Sequence, residues 1–400
     1  MSDVEAESAW LFPYCPSPPN WRVDWAGIQQ QFSWIRAMQG VMQDPLYHAE
    51  GDVFIHTRMV AEALAALDEW RALPAAERAL LFASALLHDV AKPACTVVES
   101  DGRITSKGHA RKGELLAREI LWTGDDVLAP PPLLARETIA KLVRFHGLPL
   151  WFLEKASPER AVIEASQMIR LDWLALLAEV DVRGRQCPDQ AELLGRIDLF
   201  REFCQEQCCY TAPRAFASAH SRFKYFRNEA RNPDYEAYDD TTFEVVLMAG
   251  LPGVGKDTWV RQHLAGWPVI SLDHLRQELD VTPREGQGPV IQAARTQARE
   301  FLRARQPFVW NATNITRLLR RQLIDFFASY HARVRLVYLD APLDVILSRN
   351  AARPNRVPEH IIRHMLHKLE VPNSTEAHTV EWVSTSEHGS VSLSRRLGQT

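Results

Sequence analysis

No segment of this 400-residue chain restricts its fold more than GLPGVGKDTW at residues 250–259. The run ahead of it, FEVVLMAG, is short, apolar and rich in β-formers, and the run behind it, WVRQHLAG, has helical spacing. A glycine loop joining a strand to a helix gathers backbone N–H groups and the positive helix end around phosphate oxygens. The spacing follows the phosphate-loop pattern GxxxxGK, which normally continues with Ser or Thr. Gly250, Gly255 and Lys256 meet that pattern, Gly253 lies among them, and Asp257 stands where the magnesium-binding hydroxyl belongs. Lys256 is expected to reach the β- and γ-phosphates. A carboxylate is a hard oxygen ligand, so Asp257 can take the hydroxyl's place on Mg2+, directly or through water, which leaves Thr258 for the α-phosphate. The expected cofactors are ATP or another NTP, with Mg2+.

Further short apolar runs, PVISLD, PFVWNAT and VRLVYLDAP, alternate with helical segments such as TRLLRRQLIDFFASY. Strands alternating with helices imply a parallel sheet flanked by helices. Residues 28–226 read differently. VAEALAALDEW, ERALLFASALLHDV and MIRLDWLALLAEV repeat apolar positions at helical spacing, and breakers such as Pro130, Pro131 and Pro132 separate them. The polar stretch RNEARNPDYEAYDD has little periodicity and reads as a linker. The expected organisation is multidomain. An N-terminal segment (1–27) with no assigned role precedes an all-α domain (28–226), a linker (227–240) and an α/β domain (241–400).

Composition narrows the setting. The N-terminus is acidic and lacks the layout of a signal peptide, and no apolar run approaches the roughly 18 residues of a membrane span. Cys15, Cys95, Cys187, Cys204, Cys208 and Cys209 are too irregularly spaced for a secreted disulfide framework. A cytoplasmic protein without a membrane partner is expected. The net charge of −4 conceals an asymmetry: residues 1–240 carry 26 Lys+Arg against 35 Asp+Glu, and residues 241–400 carry 20 against 15, with 18 of those 20 being Arg. Arginine suits bidentate recognition of phosphates.

In SLDHLR, Asp273 falls at the carboxyl end of the second strand of the α/β half, the edge where open sheets hold ligands. It is either the N-cap of HLRQEL or the base that takes a proton from an attacking hydroxyl, with Arg276 one turn on to hold a phosphate. WNATN ends the third strand on the same edge, with Asn314 as a candidate cap. Arg349, Arg353 and Arg356 surround a proline-broken stretch before an amphipathic helix, an arrangement suited to a lid over a transferring phosphoryl group. Over residues 243–383 these motifs resemble the polynucleotide kinase branch of P-loop phosphotransferases. The resemblance implies transfer of an NTP γ-phosphate to a 5′-OH polynucleotide end.

The helical half places His88 and Asp89 side by side in ALLHDVAKP. His56 in GDVFIHTRMV, His109 in KGHARKGE, His146 in RFHGLP and Asp181 in EVDVRGR bring the set to four His and two Asp over five segments, which suits a metal centre. Lys92 and Arg185, each about one turn from Asp89 or Asp181, are candidates to hold a phosphate. The order H…HD…H…H…D resembles the HD phosphohydrolase superfamily, and YHAEGDVFIHT resembles the HD domains attached to bacterial tRNA nucleotidyltransferases. The resemblance implies His56, His88, Asp89 and Asp181 around one metal and His109 and His146 around a second beside Asp89. The ions would be one or two divalent transition metals such as Mn2+, Ni2+ or Co2+.

Together the halves resemble the bacterial bifunctional HD phosphohydrolase–polynucleotide kinases of RNA end healing. The expected substrates are RNA ends, with DNA left open, that carry a 2′,3′-cyclic phosphate or a 5′-OH. No Lys-x-Asp-Gly ligase motif occurs, so sealing would need a separate RNA ligase. Two other readings stand beside this one: a nucleotide-salvage enzyme joining an HD nucleotidase to a nucleoside or small-molecule kinase, and a regulatory P-loop that senses ATP and gates a phosphodiesterase.

Overall fold

The computed structural model describes residues 10–124, 130–228, 232–282, 286–385 and 391–398. Residues 1–9 of the expected N-terminal segment and 229–231 of the expected linker lie outside the described residues. The chain forms two compact units, Met1–Ala215 and Phe216–Thr400.

The first unit is helical. Its longer helices are α1 (Val53–Ala66), α2 (Ala75–Leu87), α3 (His109–Thr123), α4 (Leu133–Phe145), α5 (Pro158–Ser166), α6 (Leu171–Arg183) and α7 (Gln190–Glu206). α1 begins where the Asp52 carboxylate accepts the Ile55 N–H at 2.8 Å, and it buries Val53, His56, Val60 and Leu64 along one face. The expected all-α character has one small exception, the antiparallel hairpin of β1 (Val97–Val98) and β2 (Ile104–Thr105). The N-terminal segment, to which its sequence assigned no role, packs on this core. Phe12 is buried and stacks on Phe32 with ring centroids 5.4 Å apart, and Trp21 meets the buried Trp70 edge-on. Among the described residues no helix is long and apolar enough to cross a membrane.

A buried ionic network ties α3 to α4. Arg118 donates through Nε to both carboxylate oxygens of Glu137 and through its terminal nitrogen to Glu137 and Glu114, while Lys141 donates to Glu114 at 2.6 Å. The Arg136 guanidinium lies 3.7 Å from the centre of the Trp122 ring. This pairing holds the start of α3 beside the end of α4, which is where His109 and His146 stand.

The second unit contains α8 (Ala219–Arg227), β3 (Phe243–Ala249), α9 (Lys256–His263), β4 (Val269–Ser271), α10 (Leu272–Glu278), α11 (Gly288–Arg303), β5 (Phe308–Asn311), α12 (Arg317–Ala328), β6 (Ala332–Asp340), α13 (Leu343–Ala351), α14 (Glu359–His367), β7 (Thr379–Thr385) and β8 (Val391–Leu397). The sheet runs β4-β5-β3-β6-β7-β8. Its first five strands are parallel, as the strand–helix alternation implies, and β8 pairs antiparallel with β7. The division between units falls before α8, ahead of the expected linker. α8 buries Arg222 against the second unit, where the guanidinium donates to the carbonyls of Ser374, Gly398 and His378.

Removing one partner of a buried ion pair leaves the other charge without compensation and typically costs about 3–5 kcal/mol. Arg118→Ala leaves Glu114 to Lys141 and Glu137 to Arg136 Nε at 3.2 Å, so the helical unit should lose stability toward the lower end of that range. Denaturant unfolding followed by far-UV circular dichroism checks this; a variant within 1 kcal/mol of the parent would show, on that scale, that the network contributes little.

Candidate functional site

The six residues singled out in the helical unit converge. α1 supplies His56, the end of α2 and the turn after it supply His88 and Asp89, α3 and α4 supply His109 and His146, and α6 supplies Asp181. His56 Nε2 lies 3.0 Å from Asp181 Oδ1 and 3.3 Å from His88 Nε2. His109 Nε2 lies 3.3 Å from His146 Nε2 and 3.4 Å from Asp89 Oδ1, while Asp89 Oδ2 faces His88 Nε2 at 3.2 Å. Two ligand triads result, His56–His88–Asp181 and Asp89–His109–His146, each with its donor atoms within 4.8 Å of one another. Asp89 stands between them.

Each imidazole is held by its other nitrogen. Nδ1 of His88, His109 and His146 faces the carbonyls of Ala85, Ser106 and Val143, each at 2.8 Å, and Nδ1 of His56 faces Gly184 O at 3.2 Å. We assign the proton to Nδ1 in all four rings, because only that tautomer can donate to a carbonyl. Nε2 of each ring then points inward, the orientation that outer-shell hydrogen bonds give to metal-ligating histidines. Burial, and after it the His109 and His88 rings, push the His146 pKa down to about 3, so this ring is neutral. Burial works against ionised Asp89 and Asp181, but Lys92 and His88 in the first case and Arg185 and His56 in the second outweigh it and hold both carboxyls ionised.

This donor set fits divalent cations. Ring nitrogens brought within 3.3 Å of each other in two pairs suit a cation held between them, and the buried Asp89 Oδ1 has no hydrogen-bond donor. Lys92 Nζ contacts Asp89 Oδ2 at 2.7 Å and Gln43 Oε1 at 2.5 Å, and Arg185 makes a two-point contact with Asp181. A cavity of about 420 Å³ opens onto Lys92, His109 and Arg185.

Several contributors to this arrangement escaped the sequence reading. Glu50 Oε1 sits 2.8 Å from His48 Nδ1 and 3.0 Å from His56 Nδ1, so it positions a ligand from behind. Gly184 is required by space: a Cβ there would lie 2.5 Å from Val60 Cγ2 and 2.7 Å from the Val60 nitrogen. The signals were present in the EGD and RGR stretches, but nothing along the chain shows which carboxylate or glycine will face α1.

In the second unit the glycine loop runs between β3 and α9, as its spacing implies. Gly250 and Gly253 have φ of 139° and 85°, and a Cβ at either would lie 2.7 Å from a backbone oxygen, that of Leu339 or Ile346. Lys256 Nζ donates to Gly250 O and Leu251 O at 2.9 Å each. Burial lowers its pKa to about 8, against the pull of Asp257 and Asp273 and with a further push from Arg353. Lys256, Asp257, Asp273 and Arg353 therefore share one electrostatic neighbourhood. Asp257 lies in the first turn of α9, exposed, and its carboxylate accepts from Asn311 at the end of β5 at 2.5 Å. Thr258 is also exposed, and its hydroxyl accepts from Arg261 at 3.2 Å.

Capping does not explain Asp273. The N-cap of α10 is Ser271, whose hydroxyl accepts the His274 N–H, and Asp273 lies inside the helix, exposed and paired with Arg276. Arg276 is anchored in turn on Gln287 at 2.6 Å. Asn314 does not cap either. α12 is capped by Thr316, while Asn314 is buried with φ 43° and donates to Met248 O at 2.7 Å, which ties the β5 end to β3. The three lid arginines separate: Arg349 lies within α13 and braces the glycine loop by donating to Val254 O at 3.3 Å and Thr385 Oγ1 at 3.0 Å, whereas Arg353 and Arg356 lie in the segment before α14.

Comparison with known proteins agrees with both geometries. Residues 53–174 match the HD domain family and residues 245–372 match the AAA domain family AAA_33. Over 140 residues the chain is 23% identical to the L-seryl-tRNA(Sec) kinase of Methanococcus maripaludis, a match covering 33% of this chain and 55% of that protein. The chain thus spans about half the length of this curated relative. Among solved structures, a protein described as a kinase from Chloroflexus aurantiacus j-10-fl aligns with a TM-score of 0.30 and 16% identity, covering 36% of this chain and 86% of that one. A sugar kinase from Janibacter sp. HTCC2649 aligns with a TM-score of 0.29 and 18% identity, covering 37% and 87%. The chain joins an HD hydrolase domain to a P-loop domain of kinase type, which implies divalent metals in the first and an NTP with Mg2+ in the second.

Metal addition should stabilise the helical unit, since a ligand that binds only the folded state at about 100 times its Kd adds roughly 2.7 kcal/mol. Mn2+ should raise the unfolding midpoint of the parent protein and raise that of Asp181→Ala less, since the Asp89–His109–His146 triad remains; equal shifts in both would remove Asp181 from the metal set. At the glycine loop, a bound polyphosphate raises the Lys256 pKa above its free value of about 8. The bound state then holds more protons than the free state above that pH, so NTP affinity should fall as pH rises through it. Titrations of a fluorescent NTP analogue across that pH check the slope, and Lys256→Arg, which stays protonated, should flatten it.

Proposed function

We propose that this protein heals broken RNA ends. Its HD domain removes a 2′,3′-cyclic, 2′- or 3′-phosphate from the 3′ end, and its P-loop domain transfers the NTP γ-phosphate to a 5′-OH. The observation that carries this reading is the pairing, in one chain, of a cation-lined cavity at the His/Asp cluster with an exposed Asp273 in the neighbourhood of Lys256. Those sites suit opposite operations on phosphoesters, and a broken RNA that carries a cyclic phosphate and a 5′-OH needs both. The curated relative supports an RNA-borne acceptor, since its name gives an aminoacyl-tRNA as its substrate.

At the 5′ site, Asp273 accepts the proton of the attacking hydroxyl, Arg276 orients the acceptor phosphate, and Lys256 with Arg353 meets the charge on the transferring group. Asp257 is the Mg2+ ligand supplied by the loop, and Thr258 meets the α-phosphate. At the 3′ site, His56, His88, Asp89 and Asp181 hold one divalent ion and Asp89, His109 and His146 a second, of the Mn2+, Ni2+ or Co2+ type. Such ions supply Lewis-acid polarisation of the phosphoester. Lys92 and Arg185 steer the phosphate into the site, and Asp89 and Asp181 keep those two cations in place. Joining the healed ends falls to a separate RNA ligase.

The test is an acceptor panel: a 5′-OH oligoribonucleotide, a 5′-OH oligodeoxyribonucleotide, free nucleosides and free sugars, each with radiolabelled NTP. Phosphorylation of the oligonucleotides is expected; phosphorylation of nucleosides or sugars alone would overturn the reading. Lys256→Ala should abolish kinase activity while 3′-phosphate release continues, and Asp89→Ala should do the reverse. Asp273→Asn should keep NTP binding and lose on the order of 10²–10⁴-fold in turnover, the usual cost of removing a general base.

A further inference from the structure

The cavity over the His/Asp cluster is larger and more varied than a phosphate needs. Lys92, His109 and Arg185 line it together with the aromatic rings of Tyr47 and Trp151 and the aliphatic side chains of Ile104 and Leu193. Phosphate recognition uses the cations and the metal-type donors. It has no use for two aromatic rings, whereas small-molecule sites combine aromatic lining with a few convergent polar groups.

Trp151 is presented deliberately. It ends a four-residue helical turn, LPLW, in which Leu148, Pro149 and Leu150 are all buried while Trp151 remains 39% exposed. The Arg196 guanidinium lies 4.8 Å from its ring centre and is itself held by Glu192 at 2.9 Å and Glu154 at 3.6 Å. A cation fixed over one face of the ring by two carboxylates orients the indole, which remains 39% exposed. Tyr47 is 52% exposed and precedes His48, whose ring is tied to Glu50 behind His56, so its backbone is anchored to the cluster. Aromatic rings beside a phosphate site match the flat face of a nucleobase, as in proteins that hold single-stranded nucleic acids by stacking. The volume, about 420 Å³, lies within the range of small-ligand sites.

We propose that Trp151 and Tyr47 form a stacking subsite for the base of the 3′-terminal nucleotide whose phosphate enters the cluster. The inference rests on the end-healing reading of the helical unit and adds what selects the substrate there: a nucleotide with its base attached, preferred over a bare sugar phosphate.

Two measurements on the full chain test it. In EDTA, so that binding is read apart from turnover, 2-aminopurine riboside 3′-monophosphate should lose fluorescence on stacking. Trp151→Ala should weaken its binding on the order of tenfold, Trp151→Phe should retain most of it, and Tyr47→Ala should fall between. With Mn2+ present, the ratio of kcat/KM for adenosine 2′,3′-cyclic phosphate to that for base-free ribose 2′,3′-cyclic phosphate should be well above one and should fall in Trp151→Ala. Hydrolysis of both esters at a ratio near one, or an unaltered ratio in Trp151→Ala, overturns the subsite and leaves the end-healing reading standing. Inertness toward both esters overturns the two together.

Discussion

Two pairs of imidazole nitrogens, His56 with His88 and His109 with His146, meet at 3.3 Å around buried carboxylates, and the helical unit is organised by the need to hold them there. Four imidazole rings taken from water and turned toward one another form an unfavourable arrangement by themselves. The fold sustains it by fixing every ring through Nδ1 and by placing Lys92 and Arg185 against the two aspartates. The constraint reaches outward. His109 and His146 meet only because α3 and α4 are locked by Arg118 and its carboxylates, and His56 reaches its carbonyl only because Gly184 lets α6 end directly against Val60.

The glycine loop solves the opposite problem. It gathers donors where an anion will come rather than ligands where a cation will sit. Its backbone is held before any nucleotide arrives: Gly250 donates to Thr313 O, Arg349 grips Val254 O, and Asn314 ties the neighbouring strand end to β3. Lys256 meanwhile rests on the carbonyls of its own loop, so phosphate oxygens replace contacts that already exist. Preorganisation of this kind lowers the ordering cost of binding.

Local rules decided what could be read along the chain. The glycine loop, the strand–helix alternation and the six metal-type residues were legible because each depends on spacing or on residue types that have few other uses. α8 was misassigned because an amphipathic helix carries no mark of which unit its buried face will cover; only the carbonyls of Ser374, His378 and Gly398 around Arg222 decide that. Of the two roles open to Asp273, capping goes to Ser271, and Thr316 rather than the candidate Asn314 caps α12; each offers a similar oxygen, and the chain path selects between them. Arg349 looked like its neighbours Arg353 and Arg356 until α13 extended through it and turned it toward the loop. Glu50 needed a tertiary fact, the approach of its loop to α1, that no periodicity contains.

The two sites also differ in the metal chemistry that their donors favour, and this bears on why one chain can hold both. Four imidazoles and two carboxylates make a nitrogen-rich set suited to late first-row divalent ions. Asp257 offers a single exposed carboxylate beside the phosphates of a nucleotide, an oxygen-only set that suits Mg2+, which keeps several of its waters. An imidazole-rich set favours late first-row divalent ions, whereas a single carboxylate leaves room for phosphate oxygens and for the waters that Mg2+ retains. The buried His/Asp cluster lies in one unit and the exposed Asp257 carboxylate at the glycine loop in the other, so the two donor sets favour different ions within one chain.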